Sequence, residues 1–142
     1  MVKEFSLASI KEGDKHQFEY QIRSHVYEGF LGSFADVSPI HVDGEYAKQS
    51  GFPDRVMHGT ILNGFLSHFI GTQFPGKSAL LMSVDIRFHA PCFLNDELIL
   101  ETTVTQVVEA TEVVVIGFEF RNLTRNVVAA KGRTMVKVRK NL

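Results

Sequence analysis

Asp36 and His41 stand on either side of a proline in the stretch FADVSPIHVD, Phe34 to Asp43. Histidine titrates near neutral pH and a neighbouring carboxylate can tune it, so the two side chains could form a general acid–base pair. On one continuous helix their five-residue separation would place them about 140° apart, on different faces. The pair can therefore act together only if the chain breaks between them.

Pro39 supplies such a break. Proline disfavours helical geometry at the residue before it and donates no backbone hydrogen bond, so a preceding helix should end by Ser38. Proline also suits the first position of a new helix, with Ser38 as its N-cap. We therefore predict two short helices whose junction turns Asp36 and His41 toward each other. Taken alone, so short a string is explained more simply by a capping aspartate and a partly exposed histidine.

A second polar feature, RVMHGTIL at Arg55 to Leu62, precedes the most apolar helical segment. Gly59 is predicted to lie where the first helical turn leaves backbone N–H groups unpaired, and glycine lets a ligand approach the backbone closely. A helix N-terminus favours developing negative charge, as an oxyanion hole requires. The simpler alternative is a tight turn at Gly59 with His58 as a partial cap.

The segment Gly59–Gly71 carries apolar residues at helical spacing. Gly71 suits a C-terminal cap and Pro75 bars extension. Only a narrow polar seam of Asn63, Ser67 and His68 interrupts the apolar residues, so we predict a largely buried central helix.

Extended segments surround this helix in the sequence. One is predicted at about His16–Val26, and four more are predicted downstream, at Ser83–Ala90, Leu98–Val108, Val113–Phe120 and Val127–Val138. Their short connections favour antiparallel pairing. The fold class is therefore α+β: a long central helix wrapped by an antiparallel sheet of about five strands, in a single domain over 1–142. Dimerisation would cover the remaining edge or face.

The bulk composition limits the functions to consider. The formal charge of −1 argues against a nucleic-acid or anionic-membrane partner. No signal peptide or membrane span is predicted, and the single cysteine is compatible with the cytoplasm. Cys92 has no strong activating neighbour, which predicts an inert thiol. The histidines lack metal-ligand spacing, so no metal is predicted at Asp36, His41 and His58.

The combined motifs resemble the MaoC-like (R)-specific enoyl-CoA hydratases and acyl dehydratases, a hot-dog fold family. Its pattern is approximately Asp-x-Asn-Pro-(Leu/Ile)-His-x-Asp, followed by a variable loop and His-Gly at the central helix. This chain has DVSPIHVD from Asp36 and HG at His58. The segment VDIRFHAPCFLNDEL resembles the family's strand and turn, with Asn95 where glycine is usual. The likeness extends from roughly Glu12 to Val138.

The resemblance implies hydration of a trans-2-enoyl-CoA to an (R)-3-hydroxyacyl-CoA, and the reverse dehydration. His41 would act as base on water, Asp36 would help deliver the proton to C2, and the Gly59 N–H would polarise the thioester carbonyl. Coenzyme A is then part of the substrate and no separate cofactor is expected. A homodimer or higher homo-oligomer in the cytoplasm is implied.

Two positions depart from the family pattern. Ser38 replaces asparagine and can form fewer hydrogen bonds, and Gly64 stands where a small hydroxyl residue is common and would widen the acyl pocket. Ser38, His58 and Gly64 are thus the predicted substrate-binding residues. Two alternatives remain open. One is a thioesterase on the same fold; the central helix lacks the carboxylate such an enzyme generally needs, although Asp54 lies just upstream. The other is a non-catalytic acyl-thioester binding module.

Overall fold

The computed structural model describes residues 1–140, in which one antiparallel sheet packs against a central helix. The strands are β1 (Lys15–Gln21), β2 (Ala79–Phe88), β3 (Glu97–Val108), β4 (Val113–Asn122) and β5 (Val127–Val138), in the spatial order β1-β3-β4-β5-β2. The α-helices are α1 (Ser24–Phe34), α2 (Pro39–Val42), α3 (Gly44–Gln49) and α4 (Ile61–Thr72). Within this described part, no helix is long and apolar enough to cross a membrane. The predicted α+β class, with five antiparallel strands, is confirmed.

The first extended segment is shorter than predicted. Strand β1 ends at Gln21, and helix α1 begins at Ser24 within the predicted strand. The helix turns Tyr27 into the core, and Val26, Phe30 and Leu31 pack against the same core at helical spacing. Burial of that face outweighs the strand preference of valine and tyrosine, so the prediction of a strand to Val26 was wrong.

Helix α4 packs against the sheet and buries Leu66 and Phe69 in the core. It begins at Ile61, not at Gly59, and it ends at Thr72 with Gln73 as C-cap. Gly71 therefore lies inside the helix, and its predicted capping role was wrong. One face of α4, including Gly64 and Gly71, is exposed in the single chain. The helix is consequently less buried than its apolar content predicted.

A buried carboxylate holds the turn between β2 and β3. Asp96 is 2% exposed, and its Oδ2 accepts hydrogen bonds from the Phe93 N–H (2.9 Å), the Asn122 amide (2.7 Å) and the Arg125 Nε (2.9 Å). The preceding Asn95 has a positive φ of 69°. Asparagine and glycine tolerate this left-handed conformation best, which explains why asparagine can stand where the related motif has glycine.

Candidate active site

Asp36 lies in the short loop between α1 and α2. Ala35 ends α1 in a left-handed conformation, with φ 53°, and turns the chain so that Asp36 faces the following helix. The Asp36 Oδ1 accepts a hydrogen bond from the Ser38 N–H at 3.2 Å. Its side chain is 51% exposed. The carboxylate is therefore anchored at one oxygen and accessible at the other.

His41 is on α2, which begins with Pro39 at its first position as predicted. The imidazole Nδ1 lies 2.7 Å from the carbonyl oxygen of Val56. A carbonyl only accepts hydrogen bonds, so Nδ1 must carry the proton and the neutral ring keeps its lone pair on Nε2. That Nε2 lies 3.9 Å from the Asp36 Oδ2. The proline break thus brings Asp36 and His41 together.

This separation determines what the two groups can do. A distance of 3.9 Å is too long for a direct hydrogen bond. Both atoms can instead contact one water molecule placed beside them. The Nε2 lone pair can accept a proton from that water, and the carboxylate can hold it in position. The pair therefore has the geometry of a general base, His41, beside a carboxylate that positions the water, Asp36.

His58 lies directly against this pair. It is 2% exposed, and its Nε2 lies 2.9 Å from the Asp36 carbonyl oxygen, so Nε2–H is the donor. Its ring is 4.1 Å from the ring of His41, centroid to centroid. Its Nδ1 has no hydrogen-bond partner among the described residues. His58 thereby fixes the backbone at Asp36; its predicted contact with substrate stays a prediction.

Gly59 presents its backbone beside the same pair. It lies two residues before α4, and within residues 1–140 its N–H makes no hydrogen bond. A Cβ at this position would come within 3.2 Å of the Phe88 ring. Glycine therefore lets the Phe88 ring pack close to this backbone, and any side chain here would crowd that ring. The N–H belongs to the turn before the helix rather than to its first turn, and the positive end of the helix dipole lies close by.

One cavity of about 480 Å³ contains Asp36, His41, His58 and Gly59. Cys92 also lines it but is only 7% exposed. Burial raises the pKa of the Cys92 thiol to about 11, which keeps it protonated near neutral pH and agrees with the predicted inert thiol.

The other predicted substrate-binding residues lie elsewhere. Ser38 occupies the N-cap position of α2 but its hydroxyl forms no capping bond, and it does not line the cavity of the acid–base pair. Gly64 lines a neighbouring apolar cavity of about 700 Å³ between α1 and α4. Thr60 borders both cavities. The expected roles of Ser38 and Gly64 stay predictions.

The ligand atoms of Asp36, His41 and His58 lie within 4.8 Å of one another, a spacing that a divalent cation could bridge. The Nδ1 of His41 and the Nε2 of His58 already donate to backbone carbonyls, so each ring has one nitrogen left. The expectation of a metal-free site stays a prediction.

Two contacts that orient the site were not found from the sequence. The Val56 carbonyl sets the His41 tautomer, and the Tyr27 hydroxyl donates to the His41 carbonyl at 2.6 Å. The first contact uses a backbone atom, which every residue type possesses. The second joins residues on different helices. No local sequence signal marks either of them.

The fold and the site define a hot-dog protein with an aspartate and a histidine facing one cavity beside the start of its central helix. Residues 7–122 match the model of the MaoC like domain. The chain therefore belongs to this family, as its motifs predicted.

Sequence relatives and solved structures agree with this family. An (R)-specific enoyl-CoA hydratase of Rhodospirillum rubrum is 33% identical over 99 residues, which is 70% of this chain and 69% of the relative. A protein of the same description from Aeromonas caviae is 28% identical over 104 residues, 73% of this chain and 78% of the relative. The unliganded R-hydratase structure from Pseudomonas aeruginosa superposes with a TM-score of 0.88 at 23% identity, covering 96% of this chain and 87% of the other. That structural likeness shows the fold.

Proposed function

We propose that this protein hydrates trans-2-enoyl-CoA thioesters to (R)-3-hydroxyacyl-CoA and catalyses the reverse dehydration. Relatives described as hydratases and dehydratases support the lyase class. The observation that carries the proposal is the His41 tautomer. Its Nδ1–H donates to the Val56 carbonyl, so its Nε2 lone pair lies near the Asp36 carboxylate, in a cavity that Gly59 also lines.

The proposed reaction uses each of these groups once. Water held between Asp36 and His41 attacks C3 while His41 Nε2 takes up its proton. The C2–C3 π electrons shift toward the thioester carbonyl, and the resulting enolate oxygen accepts a hydrogen bond from the Gly59 N–H. The proton returns to C2 through Asp36, so one hydroxyl and one hydrogen have been added and no redox partner is needed. One oxyanion donor of this kind contributes on the order of 10²- to 10³-fold in rate.

The test is incubation with crotonyl-CoA while enoyl absorbance and free thiol are followed together. Loss of the enoyl group without thiol release supports the hydratase. Release of thiol would instead support a thioesterase, and binding without turnover at any chain length would support a non-catalytic module. Asp54 is poorly placed to act as the carboxylate of a thioesterase. It accepts a hydrogen bond from the adjacent Arg55 N–H and does not line the cavity of the acid–base pair.

The acyl chain is proposed to extend past Thr60 into the apolar cavity between α1 and α4. Thr60 borders both cavities, and Phe30 and Phe34 line the second one. A Cβ built at Gly64 meets no atom within 4 Å, so the glycine leaves open space there. Gly64 would therefore determine how long a chain is accepted.

Replacing Gly64 with leucine tests this assignment. We expect the kcat/KM ratio of trans-2-octenoyl-CoA to crotonyl-CoA to fall by about 10- to 100-fold, since pocket mismatches of a methylene or more have effects of this order. Gly71→Leu is the matched control, because Gly71 lies exposed on the same helix and a Cβ there also meets no atom within 4 Å. Equal ratios in both variants would place the acyl chain elsewhere.

A homodimer is proposed at the free edge of β2. Among the described strands β2 pairs with β5 alone, and it exposes three consecutive large apolar residues, Leu80, Leu81 and Met82, which are 51%, 40% and 56% exposed. An apolar open edge invites pairing with another strand. A second copy related by a two-fold axis would satisfy the edge hydrogen bonds and cover these side chains.

The double variant Leu80→Lys/Met82→Lys is expected to sediment as a monomer while the unaltered protein sediments as a dimer, since the added charges would be desolvated at the edge. Leu123→Lys is the control: Leu123 is 46% exposed but lies outside β2. A dimer that survives the double change would contradict pairing at this edge. The cytoplasmic location stays an expectation.

A further inference from the structure

A small basic cleft lies on the outer face of the sheet, where β2 and β5 pair. Arg87, Lys131 and Arg133 line it together with Asp85 and His89, around a volume of about 410 Å³. The strand register places Arg87 opposite Lys131 and Asp85 opposite Arg133. Three cations thus converge on two adjacent strands.

The charges in this cleft are only partly compensated. Lys131 pairs with Glu119 at 3.4 Å. Among residues 1–140, neither Arg87 nor Arg133 forms an ion pair. Both guanidinium groups therefore remain available to an anion, and the planar donors of arginine match phosphate oxygens in pairs. This surplus is local, since the whole chain carries a formal charge of −1.

The cleft shares a lining residue with the cavity of the acid–base pair. His89, the residue after β2 ends, lines both. The backbone here is held by hydrogen bonds from the His89 and Ala90 N–H groups to the Ala129 carbonyl. The basic cleft and the cavity of the acid–base pair therefore have His89 in common, and that cavity and the apolar cavity have Thr60 in common.

We infer that the basic cleft binds the phosphates of coenzyme A, with Arg87 and Arg133 as the main contacts. This inference rests on the proposed function. The three neighbouring compartments match the three chemical parts of an acyl-CoA: an anionic nucleotide end, a reactive thioester and an apolar tail. An acidic carrier protein bearing the same thioester would need a broad positive surface, whereas the surplus here is confined to one cleft.

The experiment compares two thioesters that differ by the phosphorylated nucleotide part of coenzyme A, which pantetheine lacks. For Arg87→Glu and Arg133→Glu, the ratio of KM for crotonyl-CoA to KM for crotonyl-pantetheine is expected to rise about tenfold, because a hydrogen bond to a charged group contributes about 1.5 kcal/mol or more. Lys137→Glu is the control: it makes the same charge reversal on the same face of β5, about 13 Å from Arg133. Its ratio should stay unchanged.

A second measurement needs neither turnover nor a folded variant. Calorimetric binding of free CoA to the unaltered protein should weaken as salt rises, because the contacts are exposed, whereas binding of pantetheine should not. Equal KM changes for both thioesters, or salt-independent CoA binding, would overturn the assignment. So would a KM rise confined to a carrier-protein thioester. Specific CoA binding without hydration would support the cleft and contradict the proposed function.

Discussion

Replacing His41 with alanine is expected to lower kcat for hydration of crotonyl-CoA by about 10²- to 10⁴-fold, the usual contribution of a positioned acid–base group. The variant loses the Nε2 lone pair that receives the proton of the attacking water. It keeps the Gly59 N–H and the cavity, so KM should change much less than kcat. Steady-state kinetics with crotonyl-CoA, together with circular dichroism to verify the fold, measures the effect.

Asp36→Asn tests the other half of the pair. The amide keeps the size of the side chain but cannot relay the proton to C2, so a loss of the same order is expected. Asp43→Asn is a matched control in the same segment. The Asp43 carboxylate caps α3 by accepting the Glu45 and Tyr46 N–H groups, and asparagine caps equally well. If hydration persists undiminished in Asp36→Asn or His41→Ala, the assignment of the acid–base pair is wrong.

The largest expected effect on stability is at Asp96. Asp96→Ala would leave the Phe93 N–H without an acceptor and the buried Asn122 amide with only the weak Cys92 sulfur acceptor at 3.8 Å, and it would remove the partner of Arg125. Each buried donor left unpaired costs about 1–3 kcal/mol, so the free energy of unfolding should fall by about 2–5 kcal/mol. Urea denaturation at one fixed protein concentration measures this change, because an oligomer's stability depends on concentration.

Glu97→Ala provides the comparison for Asp96. Glu97 is the next residue and is exposed. Its backbone N–H donates a hydrogen bond to the Thr124 hydroxyl, and the substitution leaves that bond in place. Removing its carboxylate should change the free energy of unfolding by less than about 0.5 kcal/mol. Similar losses in both variants would mean that the buried hydrogen bonds of Asp96 do not hold the turn.

The elements that were predicted best are those with a long, regular apolar pattern. Strands β3, β4 and β5 begin within one residue of their predicted starts, because alternating side chains on a half-buried strand leave a period of two in the sequence. The start of helix α1 was missed, because Val26 and Tyr27 in its first turn are β-branched or aromatic and also suit a strand. The end of α4 also differs from the prediction. Gly71 can cap a helix, but Phe69 and Ile70 pack in the core and the helix continues past Gly71 to Thr72.

The sequence by itself determined the chemical groups at the site and the break that allows them to meet. Asp36, Pro39, His41 and Gly59 were all recognisable from residue type and spacing. Only the tertiary structure decided their relative positions, the His41 tautomer and which residues border more than one cavity. These depend on hydrogen bonds between residues far apart in the chain. His41 donates to the Val56 carbonyl, and His58 donates to the Asp36 carbonyl. Backbone groups are the same in every residue, so their partners are set by packing and leave no mark in the local sequence.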